Sequence, residues 1–263
     1  MFNKQNLLKN INEPDEKLIF SKVFDRACYC IKNFEPAFTE FLDPYKISTI
    51  LSLIGNGYDF NVQVFGGFRD AERQKIGFFP EFMLPGDYTF PISTIEITYN
   101  LQFSKKLTHR DFLGSLIGLG IVRGKIGDIL LTDDKVYAFV DNDIADFINV
   151  NLERVGHTKV KTRVVSVDDI KLNDEVEVLK NITVSSLRLD TVLSGVFNVS
   201  RGKVSELIKG EKAFVNWSLC TSTSKVVSEG DVITLRGYGR MKVIEFMGKT
   251  KKDKFLISMR KFT

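Results

Sequence analysis

The run Ser200-Arg201-Gly202-Lys203-Val204-Ser205-Glu206-Leu207-Ile208 places cations where a helix begins. Ser200 is a preferred capping type, and Val204, Leu207 and Ile208 supply an apolar face at helical spacing. A helix start carries partial positive charge and unpaired N–H groups, so it attracts anions. Arg201 and Lys203 add full charges on the first turn, and Lys209 and Lys212 follow. Arg188, on a preceding helix, is expected on the same surface. An Arg fork grips phosphate through two bonds, whereas Lys acts as a point charge. The chemistry indicated is recognition of a phosphate backbone. The competing reading makes Arg188 and Asp190 a fold-supporting pair and leaves the lysines solvated. Further on, Arg236, Arg240 and Lys242 surround Tyr238, which sits between two glycines where it can stack on a base or simply pack.

The distribution of charge supports a polyanion partner. Residues 182–263 hold 15 Lys and Arg against 7 Asp and Glu, while the preceding residues hold 22 against 26. A basic third joined to a mildly acidic remainder points to nucleic acid at the C-terminal end. Other chemistries lack their residues. Three cysteines and two histidines form no zinc spacing, so no metal is expected. Gly118-Leu119-Gly120 follows a helix, not the strand a nucleotide-binding loop requires, and "GIVRGK" lacks Walker spacing. His109 and His157 have no nucleophile paired with them in the sequence. No cofactor and no enzymatic activity are expected. The odd cysteine count and the absence of a long apolar run point to a cytoplasmic, membrane-free protein, with a monomer as the default.

These residues need positioning elements, and the chain reads as α+β in three parts. Residues 1–91 form a helical and mixed α/β region. Within it, 14–54 read as helices divided by Pro36 and Pro44, and Asn61–Phe65 reads as a strand. "FGGFRDAERQKIGFFP" reads as two glycines, a helical turn and a stop at Pro80. The Gly66-Gly67 pair permits unusual angles or close approach. Residues 92–168 read as β-α-β-β-α-β, a ferredoxin-like, RRM-like order with Thr108 capping the first helix and Asp133-Asp134 turning a hairpin. Tyr137 and Phe139 share a strand face and are open to two roles, core packing or base stacking. Residues 170–180 read as an acidic connector. Residues 182–263 read as two helices, capped by Ser185 or Ser186 and by Ser200, followed by strands. Asn216 reads as a strand-end turn residue.

"LRLDTVL…SRGKVSELI…FVN…EGDVI" closely resembles an S4 (αL-type) RNA-binding domain. It departs from the pattern where Glu211 and Val204 replace a usual glycine and a usual small residue. Over nearly the whole chain, "FGGFRDAERQKIGFFP", "HRDFLGSLIGLGIVRGKIGDILL" and "NLERVGHTKV" resemble the bacterial YlmH family. That resemblance implies a non-catalytic RNA-binding protein of ribosome-associated quality control, docking on rRNA and possibly peptidyl-tRNA of the 50S subunit. It also implies a link to cell division. A division-linked scaffold and an RNA-modifying enzyme targeted by S4 are the alternative readings. The resemblance marks the middle part as a second RNA surface, with Arg69, Arg73, Arg110, Arg123 and Lys125 as its basic residues. Arg123 and Lys125 also suit compensation of a helix dipole.

Overall fold

A computed structural model describes residues 3–9, 11, 13–55, 60–69, 71–83, 86, 88–100, 107–132, 135–167, 170 and 179–261. The Asp133-Asp134 hairpin signal and most of the acidic connector, 171–178, lie outside the described residues. The chain divides into two compact units, Met1–Lys171 and Leu172–Thr263.

The first unit opens with α1 (Lys4–Leu7) and α2 (Pro14–Asn33). Pro14 starts α2 at a position with no hydrogen-bonding partner to lose. Phe20, Val23, Phe24, Ala27 and Cys30 follow at helical spacing and are buried. β1 (Ala37–Phe38), α3 (Pro44–Ile54), β2 (Phe60–Phe65) and β3 (Lys75–Pro80) come next. The three strands form an antiparallel sheet in the order β1-β3-β2. The stretch expected to be a helical turn running to Pro80 is corrected here: only a short turn follows the glycines, and Lys75–Pro80 is a strand buried along its whole length. Its Phe78-Phe79 pair fills both faces, which a one-sided helical turn could not do.

β4 (Ile92–Thr98), α4 (His109–Gly118), a 3-10 turn (Arg123–Lys125), β5 (Ile126–Leu131), β6 (Val136–Asp141) and α5 (Asn142–Asn151) follow. Thr108 caps α4 through a reciprocal capping box with Asp111. The last strand of the expected β-α-β-β-α-β order is preceded by a small hairpin, β7 (Arg154–Val155) with β8 (Thr158–Lys159), and is itself only β9 (Lys161–Val165). The sheet order is β5-β6-β4-β9, antiparallel throughout. α4 and α5 bury Phe112, Leu116, Ala145 and Ile148 with Ile95, Ile97, Ala138 and Val140 of the sheet.

The other face of this sheet is covered as well. Phe139 is fully buried, and Tyr137 is 7% exposed. Gly67, at φ +103°, approaches so closely that a Cβ would lie 2.3 Å from Cδ1 of Phe139. Phe68 lays its ring 4.8 Å, centroid to centroid, from that of Phe139. Only glycine meets both the angle and the space at position 67. Of the two roles open to Phe139 and Tyr137, this packing makes them core.

The second unit contains β10 (Leu179–Val184), α6 (Leu189–Phe197), α7 (Arg201–Lys209), β11 (Ala213–Val215), β12 (Ser218–Leu219), β13 (Val232–Leu235), β14 (Gly239–Lys249) and β15 (Phe255–Lys261). They form one antiparallel sheet in the order β10-β15-β14-β13-β11-β12. β10 lies where the connector was expected to run into the unit. Its alternation explains the strand: Ile182 and Val184 face the core while Asn181 and Thr183 face out. The expected cap at Ser185 or Ser186 is also corrected. Residues 187–190 instead pair with 223–227, including Leu189 N to Lys225 O at 2.8 Å and Val227 N to Leu187 O at 2.9 Å. α6 therefore starts later, with Arg188 as its N-cap.

α7 ends in a Schellman turn, with Glu211 N on Ile208 O at 3.2 Å and Lys212 N on Leu207 O at 3.0 Å. Glu211 takes φ +60° there. A side chain in this conformation costs about 1–2 kcal/mol, against about 0.5–1 kcal/mol for the extra unfolded-state freedom of glycine. Glu211→Gly is expected to stabilise the protein by up to about 1 kcal/mol, read as a higher urea midpoint at unchanged m. A lower midpoint would contradict the strain.

Candidate nucleic-acid interface

α6 and α7 lie on the sheet face formed by Ile182, Ile233, Met241, Val243, Ile257 and Met259. The turn between them brings Arg188 and Arg201 to one carboxylate. Asp190, with its side chain only 4% exposed, accepts Arg188 Nε at 3.2 Å and Nη2 at 3.4 Å. It also accepts Arg201 Nε at 2.9 Å. The hydroxyl of Thr191 donates to it at 3.2 Å, and the Asp190 N–H donates to Thr223 O. The acid is fixed from several sides, while the two guanidinium side chains remain 41% and 53% exposed. The Nη groups of Arg201 make no hydrogen bond among the described residues. Ser200 caps α7 as expected, its hydroxyl accepting Lys203 N at 3.3 Å. Lys203 is exposed and pairs loosely with Glu206 at 3.1 Å, a contact of little energetic weight.

The pairing and the exposure coexist. Two cations share one anion, so the cluster keeps a positive charge at the start of α7, where the helix dipole adds to it. Burial, the largest single influence on Asp190, pushes its pKa up. Arg188 and Arg201 together outweigh burial and hold the carboxyl below the ordinary Asp range. A depressed folded-state pKa contributes stability above the unfolded value, about 3.9, and loses it as pH falls through the folded value. The wild type is therefore expected to lose stability on acidification below about pH 4. The Arg188→Ala/Arg201→Ala double variant should lose less over that interval, because burial alone then raises the Asp190 pKa. Urea midpoints between pH 3 and 7 measure this, and parallel curves would contradict it.

The eight cations expected to bind RNA do not form one surface. Lys209 and Lys212 are exposed at the far end of α7, about 12 Å along the axis from Arg201. Arg240 and Lys242 flank buried Met241 and Val243 on β14, so they point to the sheet face away from the helices. Arg240 lies in register with Thr234 and Phe214, and Lys242 with Arg260. The Arg236 guanidinium lies 4.7 Å from the centre of the Phe214 ring, and that of Arg240 5.8 Å from Trp217. Arg260 was not among the expected cations; Ile257 and Met259 face the helices, so Arg260 shares the opposite strand face with Ser258, in register with Lys242. Asn216 is the turn residue expected: at φ +49° it donates to Asp231 at 2.8 Å and accepts Val232 N at 2.9 Å.

In the first unit the five basic residues separate into two kinds. Arg73 donates to Phe41 O at 2.7 Å and Ile126 O at 3.1 Å. Arg123 donates to Ile126 O and to Gly127 O. Burial pulls the Arg123 guanidinium down to about 10, with Arg73 acting in the same direction. Both groups therefore use donors on main-chain carbonyls and hold the turn before β5 in place. Lys125 bridges Asp141 at 3.2 Å and Asp143 at 2.5 Å, and fully buried Lys75 also reaches Asp141. Arg69 and Arg110 are exposed.

Two family models match the chain. One, described as "YlmH, N-terminal", covers residues 16–81, and the other, "Putative RNA-binding domain in YlmH", covers residues 85–169. The chain is 32% identical over 244 residues to "Ribosome-associated protein quality control protein P2" of Bacillus subtilis, spanning 93% of this chain and 94% of that one. A solved structure, "Cell division protein ylmH from Streptococcus pneumoniae", superposes with a TM-score of 0.50 at 22% identity. It covers 60% of this chain and 94% of the other, a likeness of fold. Identity of this level across almost the full length of both chains, with both family models in register, places this chain in the YlmH family.

Proposed function

We propose that the protein is a non-catalytic RNA-binding factor of ribosome-associated quality control that docks on structured RNA of the large ribosomal subunit. The observation that carries this reading is the pair Arg188 and Arg201, held half-exposed by one buried carboxylate at the start of α7. Guanidinium groups aimed in advance lose less freedom on gripping a phosphate than solvated side chains do. On this reading the second unit is an S4 module, with Arg188, Arg201 and Lys203 as its primary contacts. Arg236, Arg240 and Lys242 contribute from the sheet, and Lys209 and Lys212 from the far end of α7. Residues 92–168 are a ferredoxin-like domain: numbered along the domain, the strand order 2-3-1-4 and its two helices on one face support that assignment. The name of the B. subtilis relative and the RNA-binding description of the family model support the ribosomal role. The protein acts in the cytoplasm as a monomer. Among the described residues, no helix is long and apolar enough to cross a membrane.

Gradient sedimentation of a cell lysate tests the reading. The wild type is expected to travel with large subunits, and Arg188→Ala/Arg201→Ala to remain at the top of the gradient. Equal distribution of the two proteins, or wild type absent from all ribosomal fractions, would reject it.

A further inference from the structure

On the middle sheet, the face on which an RRM-type domain would stack bases is closed by Gly67 and Phe68, with Phe139 fully buried beneath them. Of the five cations assigned to this unit from the sequence, Arg73, Arg123 and Lys125 are occupied by carbonyls or carboxylates. If this unit binds RNA, most of its contact surface must lie elsewhere.

Unoccupied cations do exist. Arg154, Lys159 and Lys161 are exposed, and none has a side-chain hydrogen bond or ion pair among the described residues. They line an open groove of about 590 Å³ between the end of α5 and the β7–β9 segment, together with Asn149, Val150 and Glu153. Arg163, next in the alternation, differs: it is committed to Glu96 at 2.6 and 3.1 Å. The opposing charges are Glu153 and the carbonyl end of α5, which carries about half a negative charge. Lys161, in register with Thr98 and on the strand face of Arg163, points away from α5, whereas Thr162 reaches Asn149 O of that helix. Arg154 and Lys159 still outweigh the opposing charges, so the groove stays positive. Val150, 74% exposed, stands one turn from Phe147, 46% exposed, on the same helix face. Free cations in a groove with an exposed aromatic ring one helical turn beyond its edge suit a single-stranded nucleic acid, whose backbone follows the charges while a base reaches the ring.

We infer that the groove between α5 and the β7–β8 hairpin, with Arg154 and Lys159 along it, is a binding site for single-stranded RNA. The inference rests on the RNA-binding reading above but concerns a site separate from the Arg188–Arg201 cluster. An acidic peptide is the competing occupant.

The test uses the full chain with a short single-stranded RNA carrying 4-thiouridine, photocrosslinked and mapped by mass spectrometry. Crosslinks within residues 147–162 are expected. Arg154→Glu/Lys159→Glu, both on exposed side chains, should remove those crosslinks while leaving the circular dichroism spectrum unchanged. Arg154→Ala/Lys159→Ala should weaken binding several-fold and flatten the salt dependence by about 1.4, two phosphate contacts at about 0.7 each. RNA bound and crosslinked only to residues 179–261 would overturn this site while sparing the Arg188–Arg201 reading. No RNA binding by the wild type would overturn both. Protection of the groove by poly-glutamate without any RNA crosslink would assign it to an acidic protein and also overturn the inference.

Discussion

Asp190→Asn is expected to weaken RNA binding about tenfold, although it removes a negative charge from an already basic unit. Net charge alone predicts the reverse, since each added cation strengthens attraction to a phosphate backbone. The carboxylate matters because it aims two long side chains. Arg188 and Arg201 reach it from different places in the chain, one at the N-cap of α6 and one on the first turn of α7. Ordering a rotamer-rich side chain on binding costs about 0.5–1.5 kcal/mol, so releasing two of them costs about 1–3 kcal/mol of affinity. Arg201→Ala, which removes a charge and a fork together, should lose at least as much. Lys203→Ala, which removes an ammonium held only loosely by exposed Glu206, should lose less. Filter binding at fixed salt with a structured rRNA fragment measures all three. Asn at 190 binding as tightly as wild type, or more tightly, would show that the cluster is a structural pair and not a phosphate grip.

Phe139→Ala is expected to cost about 3–5 kcal/mol of stability while leaving RNA affinity of the folded protein within about twofold. The ring is fully buried between the middle sheet and Gly67-Phe68, so truncation leaves a cavity that the surrounding strands cannot close. Were Phe139 a base-stacking residue, the same change would leave stability nearly intact and lower affinity by about 1–3 kcal/mol. Urea unfolding beside RNA titration separates the outcomes, and a stable variant that binds weakly would refute the sealed-face packing.

How much of this was legible before the structure depended on the range of each interaction. The capping of α4 by Thr108 and of α7 by Ser200 could be read because donor and acceptor lie three residues apart. The first three strands of the middle unit followed from their apolar, β-branched runs, whereas the hairpin before its last strand did not. β3 was misread because its context was local: Lys75–Pro80 resembles a turn ending at proline until two other strands flank it. The first helix of the second unit was started too early because serines signal a cap, whereas here the chain pairs with 223–227, more than thirty residues away.

The candidate site divides in the same way. Its cations and its helix start were determined by residue type and spacing alone, and with them the expectation of a phosphate-bearing ligand. Whether a given cation is available was not. Arg73 and Arg123 look like Arg188 and Arg201 in sequence, yet the first two donate to main-chain carbonyls and the second two stand half-exposed around one acid. Charge is a property of the residue; exposure and partner are properties of what the folded chain brings near it, often from fifty residues away. That is why residue types alone determined which cations the chain carries, and only the tertiary structure decided which arginines stay half-exposed and which are tied to main-chain carbonyls.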